Sequence, residues 1–302
     1  MRILVTGASG FIGSTFCRLA LSRGHEIAGL MLPTETPPAH VPASEQMLWL
    51  KGTLADPPWA AIEHFEPQVC VHFAWIATPG VYLESPENES YLQWSLDLVH
   101  RLRGLGTNHI VGVGTCIEYQ ITNAPLSEAH TPVDPTTLYS RCKNALRETL
   151  EAEARHDGWH FCWGRVFYPY GVGEHPARLC SALIQKLRHG EKLVLKTPHS
   201  TKDYIYIEDL AAAILLTVEK RITGTINWGT GLGISVRQIA DMIAGMLGRS
   251  ELVEEMSPAE KDPLGFVVAD ATRLKQLGWR QQFSLEQGLK HLQRSLRTLE
   301  PV

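Results

Sequence analysis

The stretch "RILVTGASGFIGSTF", residues 2–16, decides how the chain folds. It opens on a short β-prone run, and Gly7, Gly10 and Gly13 follow at intervals of three before a helical pattern from about Ile12 to Ser22, closed by Gly24. A glycine at a strand-to-helix turn permits an unusual backbone angle. A second, at the helix start, lets the chain approach a pyrophosphate, and a third lets the helix pack tightly on the strand. Exposed N–H groups and the positive helix end then attract phosphates. With a strand before it and a helix after it, the stretch reads as a dinucleotide cradle rather than a ligand-free turn.

The chain continues in the same rhythm. "HEIAGLM", "MLWL", a short helix from Trp59 to Phe65, "QVCVHFAW", a long helical pattern from Glu87 to about Leu105, "HIVGVG", a helix through Tyr139 to about His156, and "HFCWGRVF" follow in turn. Strands alternating with helices at this spacing imply right-handed βαβ units and a mostly parallel sheet. The strands lack period-two alternation, as expected where helices cover both faces. The fold class is therefore α/β, a Rossmann-like doubly wound parallel sheet, with a dinucleotide-binding domain at 1–166 and a smaller α/β substrate-binding region at 167–302. In that second part "FYPYGVGEHPAR" is a Pro/Gly loop. "DYIYI", "TINW", "FVVAD", a helix from Ser235 to Leu247 stopped by Gly248, and a last helix from Leu285 to Leu299 come after it.

Bulk properties narrow the function. The 302 residues are 44% hydrophobic and 20% charged, with a formal net charge of -4 and no Lys/Arg-rich run, so a nucleic-acid partner is not expected. The six cysteines are scattered with no C-x-x-C pair, and read as free thiols of a reducing compartment. No secretory leader or membrane span is legible, and a cytoplasmic location is the expectation. Thirteen histidines show no ligand spacing, and no metal site is predicted; His72, inside an apolar strand, reads as a satisfied core histidine. Arg178 and Arg237 read as solvated helix-face residues.

The choice of dinucleotide turns on the end of the second strand. A carboxylate there grips the ribose 2′-OH and repels a 2′-phosphate. "AGLMLPT" places Met31 and Leu32 at that point and no carboxylate, so NADP is favoured, with NAD possible.

"TTLYSRCK", residues 136–143, sets Tyr139 and Lys143 on one helix face, able to point at one cavity. A phenol with a pKa of about 10 is a poor acid-base group at neutral pH. A neighbouring ammonium favours the phenolate and brings it nearer the working range. "HIVGVGT" ends on Thr115, whose hydroxyl at a strand's carboxyl end is suited to orienting a substrate carbonyl.

"TGASGFIG", "GVGTCIEY", "LYSRCK", "KDYIYIEDLA", "TINWGTGLGISVRQIADMI" and "ADATRLKQLGW", in that order, resemble the extended short-chain dehydrogenase/reductases, and within them the NAD-dependent epimerase/dehydratase family acting on nucleotide-sugars. The resemblance implies Tyr139 as acid/base, Lys143 as its electrostatic partner and ribose anchor, and Thr115 as the orienting hydroxyl. It implies cofactor contacts from Gly7, Ser9, Gly10, Phe11, Ile12, Gly13, Leu54, Ala74 and Lys143. Trp75, Thr115, Glu118, Tyr168 and Lys202 are the candidate substrate contacts. Departures from the family pattern are Thr53 for an acidic residue, Lys202 for arginine, Tyr168 for asparagine and Trp75 for a small side chain; a sugar ring could stack on Trp75 or the indole could serve packing. Cys116, one residue after Thr115, faces away from it on a strand and reads as packing. A homodimer pairing the Glu87–Leu105 and Tyr139 helices is also implied.

The expected activity is nicotinamide-dependent reduction of a keto sugar carried on a nucleotide, a 4-keto reductase. A nucleotide-sugar epimerase with tightly held NAD, a reductase of a small non-sugar ketone and a non-catalytic NAD(P) sensor remain open.

Overall fold

The computed structural model describes residues 1–298. It divides into two units. The first comprises residues 1–120, 132–166 and 211–226; the second comprises 121–131, 167–210 and the chain from 227 onward. One crossing falls between Val166 and Phe167, where the sequence analysis set the boundary. The excursions at 121–131 and 211–226 carry no compositional marker.

In the first unit the chain runs β1 (Arg2–Thr6), α1 (Phe11–Ser22), β2 (Glu26–Met31), β3 (Met47–Lys51), α2 (Trp59–Phe65), β4 (Val69–His72), α3 (Glu87–Gly104), β5 (His109–Thr115), α4 (Leu138–Asp157) and β6 (His160–Val166). The second unit follows with β7 (Tyr168–Tyr170), α5 (Leu179–Arg188), β8 (Leu193–Leu195), β9 (Thr201–Tyr206) and the start of α6 (Ile207–Glu219). After β10 (Gly224–Trp228) come β11 (Gly233–Ser235), α7 (Val236–Leu247), β12 (Val253–Glu255), β13 (Phe266–Val267), α8 (Thr272–Gln276) and α9 (Leu285–Thr298). Leu299, the sequence-based end of the last helix, lies outside the described residues.

The large sheet has the order β3-β2-β1-β4-β5-β6-β10. The pairs from β3 through β6 are all parallel. Chain order reverses between β1 and β4, the switch point where an open α/β sheet binds its ligand beyond the strands' carboxyl ends. Ile3, Leu4 and Val5 of β1 have no solvent exposure, which is why the strand reads as continuous apolar sequence. Leu4, Ala28, Cys70 and Ile110 from four adjacent strands share one core with Leu98 and Leu102 of α3 and Leu146 and Leu150 of α4.

The second unit holds β11-β9-β13, with β7 on β9, and a separate β8–β12 pair. Asp203 of β9, fully buried, accepts hydrogen bonds from the Thr230 N–H (2.9 Å) and hydroxyl (2.6 Å), the Gly231 N–H (2.8 Å) and the Ala269 N–H (3.2 Å). Asp209 accepts from the N–H groups of Gln282 (2.7 Å) and Phe283 (3.1 Å). Both aspartates of "KDYIYIEDLA" thus bind backbone donors that would otherwise be buried unpaired, and the motif is a structural clamp. Ser235 caps α7 in a capping box with Gln238, and Gly248 ends it at φ 64°.

Candidate active site

The cradle forms where β1 passes into α1. Gly7 has φ +65°, and a Cβ there would lie 2.9 Å from the Ala74 nitrogen beyond β4; one on Gly13 would lie 2.2 Å from the Gly7 carbonyl oxygen. Side chains are excluded by backbone, so the two strand ends at the switch point close on each other. Gly10, half-in at the start of α1, offers no side-chain cap, and the first turn carries no acidic residue. The leading N–H groups of the helix, on Phe11, Ile12 and Gly13, have no intrahelical acceptor. Uncapped donors, a positive helix end and a glycine floor fit a pyrophosphate. Residues Gly7, Ser9, Gly10, Phe11, Ile12 and Gly13 are all in this loop and first turn. Ala74 adjoins them, its N–H donating to Thr6 Oγ1 at 3.1 Å. Leu54 belongs to the core beside Leu30, Leu50 and Ile62.

The end of β2 departs from the sequence analysis, which found no carboxylate there. Glu35 folds back across a turn: its N–H donates to the Leu32 carbonyl (3.0 Å), while its Oε2 accepts from the Leu32 N–H (3.1 Å) and from Ser9 Oγ (2.5 Å). The premise that favoured NADP therefore does not hold. No sequence pattern marks Glu35, because it lies four residues past the strand and is brought back only by the turn.

Under the cradle, His72 joins two strands to a helix. Its Nδ1 lies 2.8 Å from Thr6 Oγ1 and its Nε2 2.8 Å from Ser95 Oγ. Ser95 Oγ donates to the Tyr91 carbonyl (2.6 Å), so it accepts from the ring; the network assigns the proton to Nε2 and makes Nδ1 the acceptor of the Thr6 hydroxyl. Burial, with the Lys143 charge second, lowers the His72 pKa to about 3. His72 is the satisfied core histidine expected.

α4 begins at Thr137, whose hydroxyl caps the Ser140 N–H in a reciprocal box. Tyr139 follows on the first turn, its N–H donating to the Leu83 carbonyl at 2.9 Å. Its half-buried ring meets Tyr82 edge-on at 4.9 Å and Trp75 at 6.5 Å. One turn on, Lys143 is 2% exposed. Its Nζ donates to the Val113 carbonyl (2.8 Å), lies 3.9 Å from the centre of the Trp75 ring and 5.9 Å from that of Tyr139. Burial lowers the Lys143 pKa to about 7, and the Glu118 carboxylate opposes that shift. α4 packs on β5 and on the turn that follows it. Thr115, the last residue of β5, accepts the Ile117 N–H on its Oγ1 (3.5 Å), and no described residue takes its own hydroxyl proton. Lys143 thus lies within 5.9 Å of the Tyr139 ring centre and binds the strand two residues before Thr115.

Four of the expected substrate contacts are engaged by the chain itself. Glu118 is fully buried and its carboxylate accepts from Thr115 N–H (2.8 Å), Trp163 Nε1 (3.0 Å) and Arg165 Nε (2.8 Å), leaving nothing to offer a substrate. Trp75 is fixed by its Nε1–H to Asn88 Oδ1 (2.8 Å) and covers Lys143. Asn88, unmarked in the sequence, also donates to the carbonyls of Tyr82 (2.7 Å) and Ser85 (2.8 Å), so one amide sets the indole and the 82–85 loop together. Lys202, in the second unit, is buried in an ion pair with Asp262 (2.9 Å) and also donates to the Leu264 carbonyl, which neutralises the charge expected to meet a phosphate. Tyr168 packs its ring against Tyr204 (5.9 Å) in the same unit, with the Lys202 ammonium 5.6 Å from its ring centre. Cys116 is buried, as expected, and Arg237 is engaged by Asp241 and Glu255. No group of three or more potential metal ligands occurs among the described residues, and no helix there is long and apolar enough to cross a membrane.

Comparison with known proteins agrees with this geometry. The model of the NAD dependent epimerase/dehydratase family matches residues 3–229. The UDP-glucose 4-epimerase of Corynebacterium glutamicum is 27% identical, over 92% of this chain and 90% of its own length. That of Streptomyces lividans is 26% identical over 92% and 91%. Among solved structures, the Thermus thermophilus UDP-glucose 4-epimerase in complex with NAD superposes with a TM-score of 0.86 at 26% identity, over 99% of this chain and 100% of that one.

Proposed function

Since this chain belongs to the NAD-dependent epimerase/dehydratase family, we propose that it moves a hydride at one hydroxyl- or keto-bearing carbon of a nucleotide-sugar. The nicotinamide, when bound, takes or returns that hydride. Tyr139 exchanges the oxygen's proton: it removes the hydroxyl proton as the carbon is oxidised and gives one back as the carbonyl is reduced. The Lys143 ammonium favours the phenolate form of Tyr139, and Thr115 donates to the reacting oxygen. The observation that carries the reading is the sequestration of Glu118 by Trp163 and Arg165. Elimination of water from a sugar needs a second acid-base group beside the oxidised carbon, and the carboxylate three residues after Thr115 is locked in the core. Hydride chemistry at one carbon needs none.

Two net reactions use these steps. Epimerisation removes the hydride and proton and returns them on the other face. It is our conclusion, supported by the activity named for the C. glutamicum and S. lividans relatives. Reduction of a 4-keto sugar is the second reading, favoured by the Trp75 indole beside Lys143, which leaves less room for an intermediate to turn over. Proton NMR of UDP-glucose incubated with the protein, with no cofactor added, tests the first: UDP-galactose is expected to accumulate to equilibrium. Consumption of reduced cofactor with a nucleotide-linked 4-keto sugar, without epimerisation, would support the second. Neither event with UDP-, dTDP-, CDP- or GDP-linked sugars defeats both. A homodimer through α3 and α4 is part of the proposal, and a monomer by light scattering would refute that part.

A further inference from the structure

We propose that Asn88 is a positioning residue for the two proton-bearing groups of the site: one buried amide keeps the Trp75 indole over the Lys143 ammonium and seats the Tyr139 phenol. The inference rests on the roles given to Tyr139 and Lys143 above. Asn88 is the second residue of α3 and has no solvent exposure. Its amide oxygen accepts the Trp75 Nε1–H at 2.8 Å, and its amide nitrogen donates to the carbonyls of Tyr82 (2.7 Å) and Ser85 (2.8 Å). A donor facing the oxygen and two acceptors facing the nitrogen allow a single orientation of the group. A carboxylate cannot donate to the carbonyls, and an apolar side chain of similar size makes none of the three bonds.

Two arms lead from this amide to the chemistry. The first is Trp75. Its ring centre lies 3.9 Å from Lys143 Nζ, the indole is half-buried, and the ammonium against it is almost wholly shielded, so the ring acts as a cover. Burial brings the Lys143 pKa to about 7, so letting water reach the ammonium raises it. Glu118 from the turn after β5, His72 from β4 and Tyr139 on α4 also face the ammonium. The second arm is the 82–85 loop. Tyr82 meets the Tyr139 ring edge-on at 4.9 Å, the Leu83 carbonyl accepts the Tyr139 N–H at 2.9 Å, and Glu84 Oε2 accepts the Leu138 N–H at 3.3 Å. Those N–H groups open α4 and have no acceptor within the helix, so three consecutive loop residues hold its first turn. Asn88 acts on both groups through these neighbours.

Wild type, Asn88→Leu and Trp75→Phe are compared as full chains by two measurements that need no turnover. Proton–carbon NMR of protein carrying labelled lysine follows the Lys143 titration, its signal assigned by its loss in Lys143→Met. Hydrogen exchange read by mass spectrometry follows the backbone of residues 138–142. Lys143 is expected to titrate at about 7 in the wild type. In Asn88→Leu its proton affinity should rise about tenfold or more as the cover loosens, and exchange in the first turn of α4 should quicken. Trp75→Phe keeps the amide on the loop, so it should shift the titration and leave that exchange at the wild-type rate. With UDP-glucose, Asn88→Leu is expected to lower kcat about tenfold or more and leave KM within about twofold, the mark of a misplaced reacting group. Wild-type titration and exchange in Asn88→Leu would overturn the proposal, and so would a change in only one of them. Should Asn88→Leu fail to fold, an unshifted Lys143 in Trp75→Phe overturns it equally. A wild type that turns over no nucleotide-sugar would defeat the catalytic reading instead, while titration and exchange still decide the placement.

Discussion

Replacing Lys143 by methionine is expected to stabilise the protein below neutral pH while removing its catalysis. Lysine in an unfolded chain titrates near 10.4, and burial brings Lys143 to about 7. At 1.36 kcal/mol per tenfold change in proton affinity, that difference makes folding with the ammonium buried cost roughly 4–5 kcal/mol. The Trp75 face at 3.9 Å attracts the cation but leaves the shift uncancelled. Between pH 7 and 10 the unfolded chain holds a proton that the folded chain has released, so stability rises with pH through that window; below 7 both states hold it and the cost stays constant. His72, Glu118 and Tyr139 surround the ammonium, and His72 is neutral throughout the range. Methionine fills a similar volume with no charge. Urea unfolding of both proteins at pH 6.5 and pH 9.5 should therefore show the variant ahead by roughly 4 kcal/mol at the lower pH and most of that gap closed at the higher. A gap that does not change with pH, or one that widens as pH rises, would refute the argument.

Tyr139→Phe keeps the ring against Tyr82 and Trp75 and is expected to lower kcat by about 10²–10⁴-fold, as loss of a positioned acid-base group does, with the thermal melt nearly unchanged. Glu118→Ala strands the buried Arg165 guanidinium and should cost about 3–5 kcal/mol in urea unfolding; Glu118→Ala with Arg165→Met should recover part of the loss, and strict additivity would contradict a coupled pair. His72 is folded neutral with a pKa near 3, whereas the unfolded ring titrates near 6.5. The unfolded chain thus binds the extra proton first, and stability falls as pH drops from about 6.5 towards 3. His72→Gln should make that acid decline shallower, measured as the change in Tm between pH 7 and pH 4.5.

The elements that place the site were legible because their signals are local. β1 and α1 are a strand and a helix divided by glycines, Tyr139 and Lys143 share a helix face by spacing alone, and Ser235 and Gly248 mark both ends of α7. The misplaced residues are those whose partners are remote in sequence. Glu118 follows Thr115 and has the look of a substrate contact, yet its partners Trp163 and Arg165 come from β6, brought alongside by the parallel register Gly112↔Trp163 and Gly114↔Arg165. Lys202 retains the sign of charge expected for a phosphate, but the residue that consumes it, Asp262, lies sixty positions on and no local pattern announces it. Glu35 escaped for the opposite reason. Its partners are close, but the rule for that position looks only at the last residue of the strand.

The division of labour around Thr115 explains why such neighbours do different work. β5 ends there, and the chain turns into a single 3-10 turn, Cys116–Glu118, rather than continuing to alternate. The turn carries Glu118 back beneath the strand end, where its carboxylate accepts the Thr115 N–H and two donors from β6. A Cβ on Gly114 would sit 2.5 Å from that carboxylate and 2.2 Å from Trp163 Nε1, so the glycine in "GVGT" makes the room this arrangement needs. The carboxylate pays its desolvation by pairing with Arg165, and the same contacts fix the backbone that presents the Thr115 hydroxyl. Lys143, held by the Val113 carbonyl two residues earlier on β5, is positioned from the same strand. A buried ion pair thus sets the geometry, and the hydroxyl, phenol and ammonium outside it are the groups to which we assign the proposed chemistry. On that proposal, loss of Glu118 should act on catalysis through position and not through proton transfer.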